Sequence, residues 1–255
     1  MSIPRILFGN HSTQMPAIAR YLDHGRFEAS FAPFDAVDLA RFDLVVPLRV
    51  AQIEPARPAA VLGRAVLPTP ALVTLCDDKL ALNHWLIDMG FGDLVPDLLG
   101  PAPAVFPYIR KTRHGDFGFG CRMIRGPGED DGVDDPDVFR QRAVAGPLEY
   151  VLHLLRVNGR IRFHVAYCYD MAQPLAVRGH ADAAATITPA DPGAAYDACV
   201  AVLDAMGFEG TCCFNYKLED GAVRLLEVNP RFGGSLVGEV TAYVAAHLEA
   251  LGTPS

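Results

Sequence analysis

The dipeptide Asn158-Gly159 sits between two long runs of alternating apolar and polar residues, which commits the middle of the chain to an antiparallel β-hairpin. A two-residue turn of this kind needs positive φ at both central positions, and Asn and Gly tolerate that. Pairing about it puts Tyr150, Leu152, Leu154, Ile161, Phe163, Val165 and Tyr167 on one face, with Glu149, His153, Arg162 and His164 on the other. Such segregation suits a sheet that lines a ligand cleft, and it suits equally a sheet whose polar face meets water.

A second hairpin is read from residues 211 to 218 and 222 to 228, flanking Glu219-Asp220-Gly221. A three-residue loop with Gly221 left-handed pairs Leu218 with Ala222 and Asn215 with Leu225, leaving Cys212, Phe214, Tyr216, Leu226 and Val228 as a clean core face. A two-residue Asp-Gly loop would set Phe214 opposite Glu227 and mix the faces, so the longer loop is expected. The other face then carries Cys213, Asn215, Lys217, Leu225, Glu227 and Asn229.

The hairpin closes on Glu227-Val228-Asn229-Pro230-Arg231, which packs a carboxylate, an amide and a guanidinium into five residues. Oxygen ligands of this sort suit magnesium, which takes one or two carboxylates and fills its other positions with water and phosphate. An edge hairpin with Asn229-Pro230 as turn punctuation is the alternative. No His or Cys spacing matches a zinc site.

Composition narrows the function classes. A net charge of -8 disfavours nucleic acid and anionic membrane as partners, so an anionic ligand must be held by local Lys and Arg. No stretch reaches the ~18 apolar residues of a membrane span. The first residues run into a strand rather than a leader. Six cysteines at 76, 121, 168, 199, 212 and 213 lack a paired framework, which makes a cytoplasmic location the expectation and small buried hydrophobes their role.

Residues 1–74 alternate short apolar runs with helical patterns: 6 to 9, a helix from Thr13 to Leu22, an extended 27 to 34, then 44 to 48. That reads as a small α/β unit with a parallel sheet. Its turn Gly9-Asn10-His11-Ser12 lacks the dinucleotide fingerprint. Pro and Ala crowd 55 to 70, expected to be a connection. Asp77 or Asp78 caps a helix running to Met89, and an extended segment ends at Arg110-Lys111. Gly115, Gly118 and Gly120 follow, in a loop whose amides could approach an anion or which is a flexible hairpin tip. Residues 125 to 137 are an acidic surface loop. Helices are expected over 193 to 206, stopped by Gly207, and over 236 to 251.

Taken in order, Asp78-Lys79, Tyr108-Ile109-Arg110-Lys111 with its glycine-rich loop, Gly146-Pro147-Leu148-Glu149, and Gly210, Asn215 and Glu227 to Arg231 resemble the motifs of the ATP-grasp superfamily. The resemblance spans about 75 to 245. It implies an α/β N-terminal domain followed by an α+β ATP-grasp fold of two subdomains with the nucleotide between them, dividing as 1–74, 75–145 and 146–255. It implies that ATP and magnesium are bound and that a carboxylate is activated as an acylphosphate for attack by an amine or thiol.

In that scheme Lys79 and Lys111 hold phosphates, and Arg231 neutralises the γ-phosphate or the acylphosphate. Gly115, Gly118 and Gly120 cover the phosphates, and residues 141 to 144, Gln141 and Ala143 among them, form the adenine hinge. Glu149 binds the ribose, and Asn215, Glu227 and Asn229 hold the metal. A phosphotransferase and a nucleotide-binding module without turnover are the alternatives. Asn at 215, where many members carry a carboxylate or Gln, removes one negative charge from the metal site. The chain is short after the motif, so the substrate site is open, small or completed by a second subunit in a homodimer. Arg162, His164, Arg178 and His180 are the substrate-side candidates.

Overall fold

In the computed structural model, which describes residues 3–115, 117–130, 132–133, 135–179 and 182–252, the chain forms three sheets. Strand β1 (Arg5–Phe8), helix α1 (Gln14–Tyr21), β2 (Glu28–Phe31) and β3 (Leu44–Val46) build a parallel sheet in the order β2-β1-β3. All three β3 residues are buried, as expected of a parallel strand covered on both faces. Leu7 and Val45 pack on Phe34, Leu39 and Ala59 on one side, while Ile6, Phe8, Leu44 and Val46 face Leu236, Val240 and Tyr243 on the other.

The Pro- and Ala-rich stretch is not a plain connection. It holds α2 (Arg57–Val61), and after it comes α3 (Pro70–Asp77), whose N-cap Thr69 accepts from the Leu72 N–H and whose proline sits where the missing N–H costs nothing. Helix α4 (Lys79–Asp88) follows at once. Its cap is Asp78, whose Oδ1 accepts from the Ala81 N–H at 3.1 Å.

Strands β4 (Leu98–Leu99), β5 (Tyr108–Thr112), β6 (Arg122–Ile124) and β7 (Val138–Arg142) form an antiparallel sheet in the order β4-β7-β5-β6. The third sheet, β10-β9-β8-β11-β12, contains β8 (Leu148–Val157), β9 (Arg160–Asp170), β10 (Thr186–Ala190), β11 (Gly210–Glu219) and β12 (Ala222–Asn229). Helix α5 (Ala194–Met206) ends at Gly207 in the left-handed region, φ 60°. A 3-10 segment (Gly234–Glu239) precedes α6 (Val240–Ala250), so the single expected last helix is two pieces.

The main core lies between the third sheet and α3, α4 and α5. Leu152, Leu154, Cys212, Phe214, Tyr216, Leu225 and Val228 meet Cys76, Leu82, Leu86, Cys199 and Leu203 there. The Arg142 guanidinium joins the second and third sheets, with Nη2 donating to Glu219 Oε2 at 2.8 Å. Among the described residues no helix is long and apolar enough to cross a membrane.

Both long hairpins correct the simple registers. The β8/β9 turn is the expected two-residue one, with Val157 opposite Arg160. A bulge between Leu155 and Arg156 then shifts the pairing, setting Leu154 opposite His164 and His153 opposite Val165. His164 is therefore on the face away from His153; it is exposed and packs on the Tyr196 ring at 4.9 Å between centroids. In β11/β12 the loop is the two-residue Asp220-Gly221 turn, φ 51° and 80°, rather than the three-residue one. A bulge between Asn215 and Tyr216 restores Phe214 to a position opposite Val228 and sets Asn215 opposite Glu227.

Candidate active site

A cleft of about 430 Å³ opens between the second and third sheets, roofed at one end by the start of α1. The strands deliver its charged groups in pairs. Lys111 projects from the middle of β5, where it is 5% exposed and its Nζ donates to Gln141 Oε1 at 2.8 Å. Gln141 is itself buried and donates through Nε2 to the Pro96 carbonyl at 2.9 Å, so it aims the lysine. Burial lowers the Lys111 pKa below the ordinary lysine value, and the Glu227 carboxylate acts in the opposite sense. Lys79, at the start of α4, donates through Nζ to the Gly115 carbonyl and so reaches the glycine-rich loop.

That loop closes onto the segment after β9. A Cβ on Gly118 would stand 2.8 Å from the Arg178 carbonyl oxygen, and one on Gly179 would stand 2.3 Å from the Phe117 carbonyl oxygen, with Gly179 at φ 123°. Only glycine permits this backbone-to-backbone approach. Gly115 and Gly118 line the cleft, whereas Gly120 does not; its α-carbon packs on the Thr112 side chain instead. Arg178, on the segment that meets the loop, donates through Nε to Glu149 Oε1 at 2.6 Å and lies over the Tyr169 ring. Glu149 therefore enters the cleft already paired.

Asn215, Glu227 and Asn229 are together, as the sequence led us to expect, but by way of the bulge. Glu227 Oε1 accepts from Asn215 Nδ2 at 3.0 Å and from Asn229 Nδ2 at 2.7 Å. Arg231 follows, with Nη2 at 3.4 Å from Asn229 Oδ1. Among the described residues no three His, Cys, Asp or Glu side chains cluster as a metal site. One carboxylate with two amides, each able to turn its oxygen inward, nevertheless fits a hard cation that completes its shell with water and phosphate.

Ala143, expected in the adenine hinge, lines the cleft, but its N–H is spent on the Pro107 carbonyl at 3.3 Å. Of the substrate-side candidates, Arg178 lines the cleft, Arg162 and His164 are exposed and away from it, and His180 lies outside the described residues.

The structure adds cleft residues that sequence reasoning did not assign. Ile109, Met123 and Leu226 give one end an apolar lining. Lys217 is 5% exposed and donates to the Gly146 and Val144 carbonyls of the loop between β7 and β8; its place beside Asn215 in the strand alternation was the available signal. His153 is fully buried, with Nε2 at 2.7 Å from Ser235 Oγ, and a Cβ on Gly233 would collide with its ring.

Burial, reinforced by Arg231 and Arg178, pushes the His153 pKa down to about 3, and burial does the same to His247 in α6. Both imidazoles stay neutral in the fold while the unfolded chain protonates near 6.5, so stability is full above that pH and is lost as pH falls toward 3. Each contributes a slope of up to ~1.4 kcal/mol per pH unit inside the window. Urea unfolding measured over about pH 4 to 7 is expected to show this slope. His247→Gln, remote from the cleft, is expected to flatten it by about one proton.

By sequence, the chain matches no family model and no curated protein. By structure it is similar to D-alanine–D-alanine ligase from Bacillus anthracis, with a TM-score of 0.63 and 14% identity over 98% of this chain and 95% of that one. The same enzyme complexed with ATP gives a TM-score of 0.62 at 14% identity, covering 98% of this chain and 96% of that one. An L-amino acid ligase from Bacillus licheniformis gives 0.62 at 15% identity, covering 94% of this chain and 70% of that one. The likeness is one of fold, and it runs through all three sheets.

Proposed function

We propose that this chain, built on the ATP-grasp fold it shares with those ligases, is an ATP- and magnesium-dependent ligase that joins a small carboxylate to an amine or thiol. The observation that carries this is the convergence of Lys79, Lys111, Arg231 and the Glu227-Asn215-Asn229 set on one cleft between two antiparallel sheets. Such a constellation suits phosphoryl transfer, in which preorganised cations stabilise the charge spread over the transferred group.

The adenine would lie in the apolar slot formed by Ile109, Met123 and Leu226, with residues 143 to 146 along its edge. Glu149, with one oxygen held by Arg178, would offer the other to the ribose. Lys79 and Lys111 would hold the phosphates under the glycine-rich loop. Asn215, Glu227 and Asn229 would hold magnesium, which supplies charge neutralisation on the polyphosphate.

The substrate carboxylate oxygen attacks the γ-phosphorus and the bond to the β-phosphate oxygen breaks, giving an acylphosphate and ADP. The amine or thiol then attacks the acyl carbon, sheds its proton, and phosphate leaves. Arg231 would neutralise the transferred phosphoryl through both steps. On this reading the second sheet, within residues 75–145, and the third, within 146–255, would grip the nucleotide, beside the parallel sheet of residues 1–74; helix α3 runs across the 74/75 boundary.

The test is release of ADP and phosphate from ATP and magnesium in the presence of carboxylate and amine pools, with dependence on both. Hydroxylamine is expected to trap the acylphosphate as a hydroxamate. ADP release without hydroxamate would point to a phosphotransferase, and ATP binding without turnover to a nucleotide-binding module.

A further inference from the structure

Strand register orders the cleft from one end to the other. Asn215 of β11 pairs with Glu227 and Val151, and Cys213 pairs with Asn229 and His153. Two residues along a strand advance ~7 Å, so the row at His153 lies past Glu227 on the side away from Leu226, towards Arg231. Ser235 bonds His153 there, and a Cβ on Gly234 would stand 3.9 Å from Gln14 Nε2. The end beyond Arg231 is therefore closed by the start of α1, where His11, Thr13 and Gln14 line the cleft. An acyl group whose phosphoryl is held by Arg231 would face this end.

The loop that carries His11 is held still. The Gly9 N–H donates to the Val46 carbonyl at 3.1 Å and Gln52 Nε2 to the Asn10 carbonyl at 2.8 Å, while a Cβ on Gly9 would stand 2.1 Å from Gln52 Oε1. The His11 carbonyl accepts from the Gln14 and Met15 N–H groups at 3.1 and 3.0 Å, and His11 Nδ1 lies 3.2 Å from Thr13 Oγ1. With Nδ1–H donating to that hydroxyl, the lone pair of the ring is on Nε2.

An amine that attacks an acyl carbon must lose a proton, and the other acceptors lining the cleft are committed. Glu149 is paired with Arg178, and Glu227 is held by Asn215 and Asn229. The His153 ring is fully buried, its pKa is pushed down to about 3, and Ser235 engages its Nε2. Burial pushes the Cys121 thiol up. Among the described lining residues, that leaves His11, whose side chain is partly exposed. Gln14 is a second and independent sign: it is 7% exposed, and its carboxamide oxygen has no hydrogen-bond partner. A buried acceptor is costly until a donor reaches it. An amine brings N–H groups for both residues, and a thiolate brings none.

We infer that the start of α1 receives the second substrate as a neutral amine, with His11 the base that takes its proton and Gln14 Oε1 the acceptor of another N–H. The inference rests on the ligase reading of the cleft and deepens it, because it selects amine over thiol. The nitrogen lone pair forms the bond to the acyl carbon, and the bond from that carbon to the phosphate oxygen breaks with its electrons on the oxygen. The amine proton passes to His11 Nε2 and from there to the departing phosphate. Amide and hydrogen phosphate result, and His11 is neutral again.

The test supplies ATP, magnesium and a pool of the protein amino acids with succinate and lactate, and compares three acceptors: hydroxylamine, the amines of the pool with added ammonium, and mercaptoethanol. ADP release and the masses of the products are read for the wild-type protein, His11→Gln, His11→Ala and Gln14→Met, with circular dichroism as the folding check. Hydroxylamine attacks acylphosphates in free solution and needs no base from the protein. Hydroxamate formation is therefore expected to fall less than ~3-fold in His11→Gln while amide formation falls ~100-fold or more, within the range for a lost general base. Free imidazole is expected to restore part of the amide rate in His11→Ala, which a merely structural role would not allow. Gln14→Met is expected to raise KM for the amine about 5-fold, the scale of one lost hydrogen bond. Hydroxamate and amide falling by the same factor in the His11 variants, or amide not falling, would overturn the base. Wild-type protein that forms thioester in preference to amide, or hydroxamate with no amide, would overturn the choice of an amine. Wild-type protein that releases no ADP even with hydroxylamine would sink the ligase reading itself.

Discussion

Replacing Lys111 with Ala is expected to lower kcat/KM for ATP turnover about a hundredfold or more, on the scale of ~3 kcal/mol for one lost preorganised donor. The expectation follows from how the side chain is held. Lys111 is paired with Phe139 of β7, and the residues just before it in β5 are paired on both sides, by β6 and β7, which anchors its backbone. Gln141 fixes the ammonium and is itself fixed by the Pro96 carbonyl. Burial has already stripped the ammonium of water, which lowers its pKa and means that little solvent need be reorganised when phosphate charge develops. Lys111→Arg is expected to rescue poorly, because a planar fork does not fit a slot shaped for a point charge. Steady-state ADP release, with circular dichroism as the folding check, measures both variants. A rate unchanged in Lys111→Ala would remove the residue from the site.

Much of this site was legible in the sequence, for reasons that vary with the residue. The grouping of Asn215, Glu227 and Asn229 was legible because strand alternation puts them on one face, and the helix start at Lys79 because an aspartate cap precedes it. The order of the motifs did what no single motif could. Alternation failed where the strands bulge. A bulge adds one residue to one strand and inverts every side chain beyond it, and no local residue type announces it. His164 was thereby grouped with His153, although the bulge at Leu155/Arg156 sends it to the opposite face.

Helix α3 was missed because Pro and Ala in front of it read as a linker, although Thr69-Pro70 is a sound helix start. Gly120 was read as cradle when its glycine serves contact with Thr112. The Arg178 pairing with Glu149 joins residues 29 apart through a loop contact, for which the sequence holds no period.

The register of β11/β12 yields the second large effect. Leu225 is 2% exposed and packs in the main core, whereas Leu226 is partly exposed and lines the cleft. Leu225→Ala is therefore expected to cost 2 to 5 kcal/mol of folding stability, roughly the range for a truncated core leucine. Leu226→Ala is expected to cost under about 1 kcal/mol, since part of its surface is already wet, and to weaken ATP binding instead. Urea unfolding separates the stabilities and calorimetry the affinities. A three-residue Glu-Asp-Gly loop without a bulge would exchange the two residues: Leu226 would carry the stability and Leu225 the nucleotide. The two-residue turn therefore needs the bulge, because without it Phe214 would face Glu227 and the carboxylate would be turned into the core. With it, the chain gains the tight Asp220-Gly221 turn, a continuous apolar face, and a carboxylate delivered to the two asparagines. An inverted result for this leucine pair would undo that register, and with it the direct pairing of Asn215 with Glu227, though not their place on one face.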